Sequence, residues 1–266
     1  MINIQQMIES AAESGYRGDN ASAKVCQDIV LKALAIGPLS KNVTIKGGVV
    51  MRSKTNNIRR ATQDLDIDFI KYSLADESID AFISKLNCLE GIRITRDGKI
   101  EELKQQDYSG KRVFVLIRDA MGNQVRSKID FGVHNRFELE QEEYCFDIAY
   151  DDEGASLLIN SDEQMLVEKL RSLLRFGPLS TRFKDVYDMY YLKDSVNMTK
   201  LKSALDTYIF NDDTMREKQG KDILKRLKFT FGDKIYVESL DKSDKRWIDD
   251  DIRTIIEGLL EFVNEI

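Results

Sequence analysis

The segment Asp64-Leu65-Asp66-Ile67-Asp68-Phe69 constrains this chain more than any other. Acidic and apolar residues alternate strictly, and successive side chains point to opposite faces in a β-strand. Leu65, Ile67 and Phe69 therefore face a core, while Asp64, Asp66 and Asp68 share the other face. Three carboxylates side by side repel and raise one another's pKa unless a cation sits among them. Two arrangements relieve this: solvent on an edge strand, where charge deters aggregation, or a bound divalent metal. Oxygen-only ligands point to Mg²⁺ or Mn²⁺. Two other acidic motifs are excluded. A calcium loop starting at Asp64 needs glycine and glutamate where the chain has Phe69 and Ala75, and a phosphatase-type Asp-x-Asp-x-Ser/Thr has Asp68 at its last position.

The preceding segment favours the metal. From Lys41 to Gln63 there are six basic residues (Lys41, Lys46, Arg52, Lys54, Arg59 and Arg60) and no acidic one. A helix over Ala21 to Ile36 stops at Gly37-Pro38, and a short strand, Val43 to Ile45, ends at Gly47-Gly48, where backbone N–H groups can approach a triphosphate. Downstream, Ile79 to Leu89 reads as a helix. Lys111 to Asp119 and Gln124 to Val133 then read as two strands around a turn containing Gly122-Asn123. In the second of these, Val125, Ile129, Phe131 and Val133 share one face and Arg126, Lys128 and Asp130 the other, which makes Asp130 a third in-register carboxylate for the metal.

Beyond about Ile159 the β signals fade into helical segments: Asp162 to Phe176, Thr181 to Leu192, Leu201 to Phe210, Thr214 to Leu227 and Ser243 to Val263. Two domains are expected, an α/β part at 1–160 and a helical part at 161–266 that completes the active-site cleft. In the helical part, Thr214 to Lys228 carries six basic residues (Arg216, Lys218, Lys221, Lys225, Arg226 and Lys228) against two acidic ones. That stretch reads either as a track for an RNA backbone or as a solvated helix face.

Other chemistries find little support. His134 is the only histidine among the 266 residues, and no Gly-x-Ser-x-Gly elbow accompanies it, so a hydrolase triad is not expected. Cys26, Cys88 and Cys145 form no Cys-x-x-Cys pair, which argues against zinc or a disulfide framework. A net charge of −6 opposes nonspecific coating of nucleic acid. The longest apolar run, Val113 to Ile117, cannot span a membrane, and the start resembles no signal peptide, so no membrane partner and a cytoplasmic location are expected.

Taken together, Lys46-Gly47-Gly48 followed by Arg60-x-Thr62-x-Asp64-Leu65-Asp66-Ile67 resembles the first motif of the AbiEii/AbiGii toxin nucleotidyltransferases, relatives of the polymerase-β superfamily. Glu168-Lys169-Leu170 followed by Arg182-Phe183-Lys184-Asp185-Val186-Tyr187-Asp188 is similar to that family's downstream helical motif. The resemblance implies an α+β fold, a nucleotidyltransferase-type mixed β-sheet with flanking helices followed by a C-terminal helical bundle. It implies metal ligation by Asp64, Asp66 and Asp130, and triphosphate binding by Lys46, Gly47, Gly48, Arg60 and Lys169. Asp185 would be a positioning or proton-accepting group. The implied activity is Mg²⁺- or Mn²⁺-dependent transfer of a nucleotide from a nucleoside triphosphate, with pyrophosphate released. The acceptor would be RNA, transfer RNA foremost, and the chain the toxin of a type IV toxin–antitoxin or abortive-infection system with a cognate antitoxin. Nucleotidylation of a small molecule or protein, and nucleotide-dependent regulation without turnover, remain as alternatives. One departure stands out: Val49 occupies the position after Gly-Gly where the family carries Ser or Thr, leaving Ser53 or Thr55 as candidate replacements for the hydroxyl.

Overall fold

The computed structural model describes residues 3–103, 110–134 and 139–266. The chain divides into two compact units, Met1–Asn160 and Ser161–Ile266.

The first unit runs α1 (Ile4–Glu13), α2 (Asp19–Ile36), β1 (Val43–Lys46), α3 (Gly47–Thr55), β2 (Asp64–Ile70), α4 (Asp76–Lys85), β3 (Ile92–Arg96), β4 (Glu101–Leu103), β5 (Gly110–Asp119), β6 (Gln124–His134), β7 (Glu142–Phe146) and β8 (Ala155–Ile159). The strands form one mixed sheet in the order β3-β5-β6-β2-β1-β8-β7, with β4 paired to β5. The acidic strand β2 lies in the middle, antiparallel to β1 and parallel to β6. This removes the edge-strand reading: the carboxylates of β2 sit between two paired neighbours and cannot serve as a solvated guard against aggregation.

The apolar half of the alternation behaves as expected. Leu65, Ile67 and Phe69 are buried with Ile129 and Phe131 of β6 and Ile45 of β1. Phe69 stacks on Phe131 at 5.0 Å between centroids and tilts against Phe82 of α4 at 4.9 Å. Aromatic pairs at this separation hold the sheet to its helix beyond simple area burial. α2, buried along most of its length, packs against β6 and β8.

The second unit is helical: α5 (Asp162–Phe176), α6 (Phe183–Leu192), α7 (Met198–Leu205) continuing into a π-helical turn (Asp206–Phe210), α8 (Gly220–Gly232), α9 (Lys234–Asp241) and α10 (Ile252–Asn264). No helix among the described residues is long and apolar enough to cross a membrane.

Helices α1 and α9 were not expected, the helix expected over Ile79 to Leu89 runs from Asp76 to Lys85, and two expected spans of the second unit begin later than the sequence reading placed them. The helix expected from Thr214 begins only at Gly220, because Thr214 is tied into a local turn: its N–H and hydroxyl both donate to Asp212 Oδ1, at 2.7 and 2.6 Å. Short polar side chains compete with the helix in this way. The span expected from Ser243 to Val263 is α10 alone, preceded by a loop in which Arg246 donates to the carbonyls of Ile248 and Asp250. A guanidinium satisfying loop carbonyls leaves those residues no need of helical partners.

Asp119, at the end of β5, fixes the first unit's amino terminus. Its carboxylate accepts from the N–H of Ile4 at 2.9 Å and from the N–H groups of Met121 and Asn123, both at 2.9 Å, while the Asn123 side chain donates at 2.8 Å. Burial would raise this carboxyl, and the hydrogen bonds from Asn123, Ile4 and Met121 outweigh it, holding the group below its ordinary value. The stabilisation is thus complete above the unfolded carboxylate pKa and is lost as pH falls through the folded value. Asp119→Ala, which orphans buried N–H groups, is expected to lower stability at neutral pH by about 2 kcal/mol, with a smaller difference in strong acid; urea unfolding of both proteins at the two pH values checks it.

Candidate active site

The register of four strands lines up one row of charge. Lys46 of β1 is opposite Asp66 of β2, Asp66 is opposite Asp130 of β6, and Asp130 is opposite Arg112 of β5. The sheet therefore sets two anions side by side between two cations. Each neighbouring row adds to it: Asp64 is opposite Lys128, and Asp68 is opposite Gly132, which has no side chain to crowd the acid.

The counter-ions are specific. Arg112 grips Asp130 with both arms, Nε to Oδ1 and Nη2 to Oδ2, each at 2.7 Å, the two-pronged geometry that a guanidinium offers and an ammonium does not. Lys128 Nζ is 2.8 Å from Asp64 Oδ1, and Lys46 Nζ is 2.7 Å from Asp68 Oδ1 with both side chains buried. Among the described residues, three of these four acids have a cation in ion-pair contact and Asp66 does not. Its pKa is pushed up to about 6, first by burial, with the negative charges of Asp130, Asp64 and Asp68 adding to the shift and Lys46 opposing it.

Asp66 also meets the start of α3. Gly47, the first residue of that helix, has φ +67°, and a Cβ there would collide with the Asp66 carboxylate. Gly48 lies against Thr62, whose Oγ1 a Cβ would approach to 2.6 Å. Only glycine permits this contact between strand and helix end. Lys46 at the N-cap makes no side-chain capping bond, and the first turn of a helix directs N–H groups and a partial positive charge outward. Val49 is buried, and the hydroxyl that lies against Gly48 is that of Thr62, not of the expected Ser53 or Thr55. Ser53 accepts instead from the Tyr144 hydroxyl at 3.2 Å, and Thr55 donates back to the Met51 carbonyl at 2.8 Å, so both are engaged elsewhere.

Behind the row lies a support that the sequence reading missed. Gln27 of α2 donates through Nε2 to the carbonyls of Thr62 (3.0 Å) and Asp64 (3.4 Å), and its Oε1 accepts from Arg52 of α3. Arg52 lies 3.7 Å from Asp28, which also accepts from the Ala149 N–H at 2.9 Å. One buried glutamine thus ties α3 and the entry to β2 together. Arg60 is buried in a 3₁₀ turn (Ile58–Arg60), and its charge is felt at Arg52, whose pKa is lowered first by burial and lastly by Arg60.

Among the described residues no group of three or more His, Cys, Asp or Glu side chains is gathered to hold a metal ion. The donor chemistry nevertheless suits a divalent cation. Asp64 and Asp66 are half-buried neighbours on one strand face, and Asp66 carries a burial penalty that an ion would relieve. Asp130 is the exception among the expected ligands, since Arg112 engages both of its oxygens.

The second unit holds its own buried charge cluster. Lys169 of α5 is paired with Asp185 at 3.1 Å and Asp188 at 2.8 Å, both on α6. Arg182 Nε donates to Asp185 at 2.6 Å, and Trp247 Nε1 to Asp188 at 3.1 Å. Lys169 and Asp185 are therefore not solvated charges paired along one helix. They are buried and bridge two helices.

Across residues 29–264 the chain matches the model of the nucleotidyl transferase AbiEii toxins of type IV toxin–antitoxin systems, and it belongs to that family. No curated protein matches it. Among solved structures it is similar to an antigenic nucleotidyltransferase-like protein from Paracoccidioides brasiliensis (14% identity, 68% of this chain and 87% of that chain, TM-score 0.41). It is also similar to the antibiotic-resistance factor ANT(2'')-Ia (14% identity, 70% of this chain and 92% of that chain, TM-score 0.43).

The Asp66 environment makes a stability prediction. A carboxyl whose folded pKa lies above its unfolded value destabilises the fold once ionised, so the penalty is absent below about pH 4, grows between pH 4 and 6 and is complete above. Asp66→Asn removes the charge, and is expected to stabilise the metal-free protein at neutral pH by on the order of 2 kcal/mol, with the gain vanishing near pH 4. Thermal unfolding in chelator across that range checks it.

Proposed function

We propose that this chain transfers a nucleoside monophosphate from a nucleoside triphosphate to an RNA acceptor, transfer RNA foremost, releasing pyrophosphate. In this reading it is the cytoplasmic toxin of a type IV pair and is countered by a cognate antitoxin. The observation that carries the reading is Asp66: among the described residues it has no cation in ion-pair contact, and it is pressed against the glycine start of a helix. Negative charge that needs an added cation stands beside N–H groups that favour an added anion, and a metal–triphosphate complex supplies both.

Asp64 and Asp66 are the residues that would hold Mg²⁺ or Mn²⁺. When bound, such an ion neutralises charge developing on the phosphate oxygens. The chain's own residues do the rest. Gly47 and Gly48 admit the phosphates to the amino end of α3 and Lys46 adds positive charge, while Arg60 gives the approach its basic character. Asp130, held rigid by Arg112, orients the acceptor hydroxyl and takes its proton as the acceptor oxygen bonds to the α-phosphorus and the bond to the β-phosphate oxygen breaks. Lys169 and Asp185 enter through the family motif, Lys169 at the triphosphate and Asp185 as a positioning or proton-accepting group. Their buried pairing gives both a fixed geometry.

Incubation of the purified protein with Mg²⁺, each α-labelled triphosphate and total cellular RNA tests the proposal. Label is expected in an RNA product, with the rate cut on the order of a thousandfold or more in Asp64→Ala. Unlabelled RNA with every triphosphate, or labelling that survives Asp64→Ala unchanged, overturns it. Label in a protein or small molecule instead moves the acceptor to that class.

A further inference from the structure

We infer that the exposed face of α8 is a docking surface for single-stranded nucleic acid, an assignment that deepens the RNA-acceptor reading and rests on it for its biological sense. At about 100° per residue, Lys221, Lys225 and Lys228 fall within about 60° of one another on the helix surface and span roughly 10 Å along its axis. All three are exposed. The opposite side of the helix, with Ile223, Leu227, Thr230 and Phe231, is buried.

The charge of this face is uncompensated. Among the described residues none of the three lysines has an ion-pair partner, whereas several cations elsewhere on the unit do: Lys242 with Glu238, Lys245 with Asp244, Arg246 with Asp241 and Arg171 with Asp212. The only acid in α8, Asp222, is occupied by the Lys218 N–H at 3.1 Å. In a chain of net charge −6, an unbalanced basic stripe marks a local exception to the overall field, as a polyanion site requires.

An aromatic ring completes the stripe. Phe229, next along the same face, is 63% exposed, and the Arg226 guanidinium lies over it at 5.5 Å from the centroid. Arg226 is itself fixed by a bond from Nε to the Leu174 carbonyl and by close packing on Gly177, so ring and guanidinium form a positioned pair. Leaving a phenylalanine in water is unfavourable. Beside lysines, a ring of this kind is what single-stranded binding surfaces present, with phosphates meeting ammonium groups and a base stacking on the ring. Duplex binding needs no such ring, and an acidic peptide would use the lysines without it.

Fluorescence anisotropy of a labelled, unstructured RNA oligonucleotide with the full chain across a salt series tests the surface. No triphosphate is present, so failure of the catalytic reading and failure of this one are separate results; a chain that labels no RNA can still bind it through α8. Lys221→Gln/Lys225→Gln/Lys228→Gln is expected to shallow the slope of log K against log salt by about 2, from three lost single-strand phosphate contacts. Phe229→Ala is expected to weaken binding roughly tenfold at every salt concentration with the slope unchanged. Lys242→Gln/Lys245→Gln, which removes paired charges, should leave the slope near that of the parent. Unchanged affinity and slope in the triple variant overturn the proposal, as does an equal loss in the Lys242/Lys245 control. Binding of a labelled polyglutamate peptide that falls with the triple variant while RNA binding does not also overturns it, in favour of an acidic protein partner. Circular dichroism of each variant confirms that the helical signal is retained.

Discussion

A half-buried negative charge on a central strand is the constraint that the rest of the first unit answers. Asp66 cannot escape to solvent as it could at a sheet edge, because β1 and β6 flank its strand. The sheet register instead places Lys46 and Arg112 at the two ends of its row, and Lys128 beside Asp64. These cations balance the neighbours and leave Asp66 with its penalty. Strain of this kind is tolerated where it is relieved by something the protein binds, and a divalent cation would relieve it beside the glycine start of α3, whose N–H groups favour the phosphates that accompany such an ion.

Much of this was legible in six residues. Strict alternation gave a strand with one apolar and one acidic face, and a second alternating strand put Asp130 in register with it. The central placement of β2 could not be read locally, because it depends on β6, which pairs with β2 in parallel from about sixty positions away. Arg112 was hidden for the same reason: it sits in a mixed segment, and its role follows only from the β5–β6 register that sets it opposite Asp130. Gln27 has no sequence signal at all. A glutamine inside an amphipathic helix looks like surface until tertiary packing closes over it, and it then bonds two carbonyls at the entry to β2.

The helical unit shows the converse. Apart from α9, its elements were visible from periodicity, and α8 and α10 start late where Asp212 and Arg246 engage the nearby backbone and hold it in turns. The buried cluster of Lys169, Asp185 and Asp188 spaces its residues as an ordinary surface helix does, and only packing reveals that they bridge α5 and α6 away from water. The family match over residues 29–264 covers both units, and therefore both charge clusters. Gln27 and Asp28, which brace the first of them, lie just outside it.

The central claim is that Asp66 lacks a positive charge that a bound divalent ion supplies, with the triphosphate taken up beside it at the amino end of α3. Calorimetric titration of the protein with a non-hydrolysable triphosphate, with and without Mg²⁺, measures this directly in the parent and in Asp66→Asn. Saturable binding that requires the ion and disappears in the variant is the predicted result. Binding of equal strength in the variant, or in the absence of any divalent ion, would contradict it.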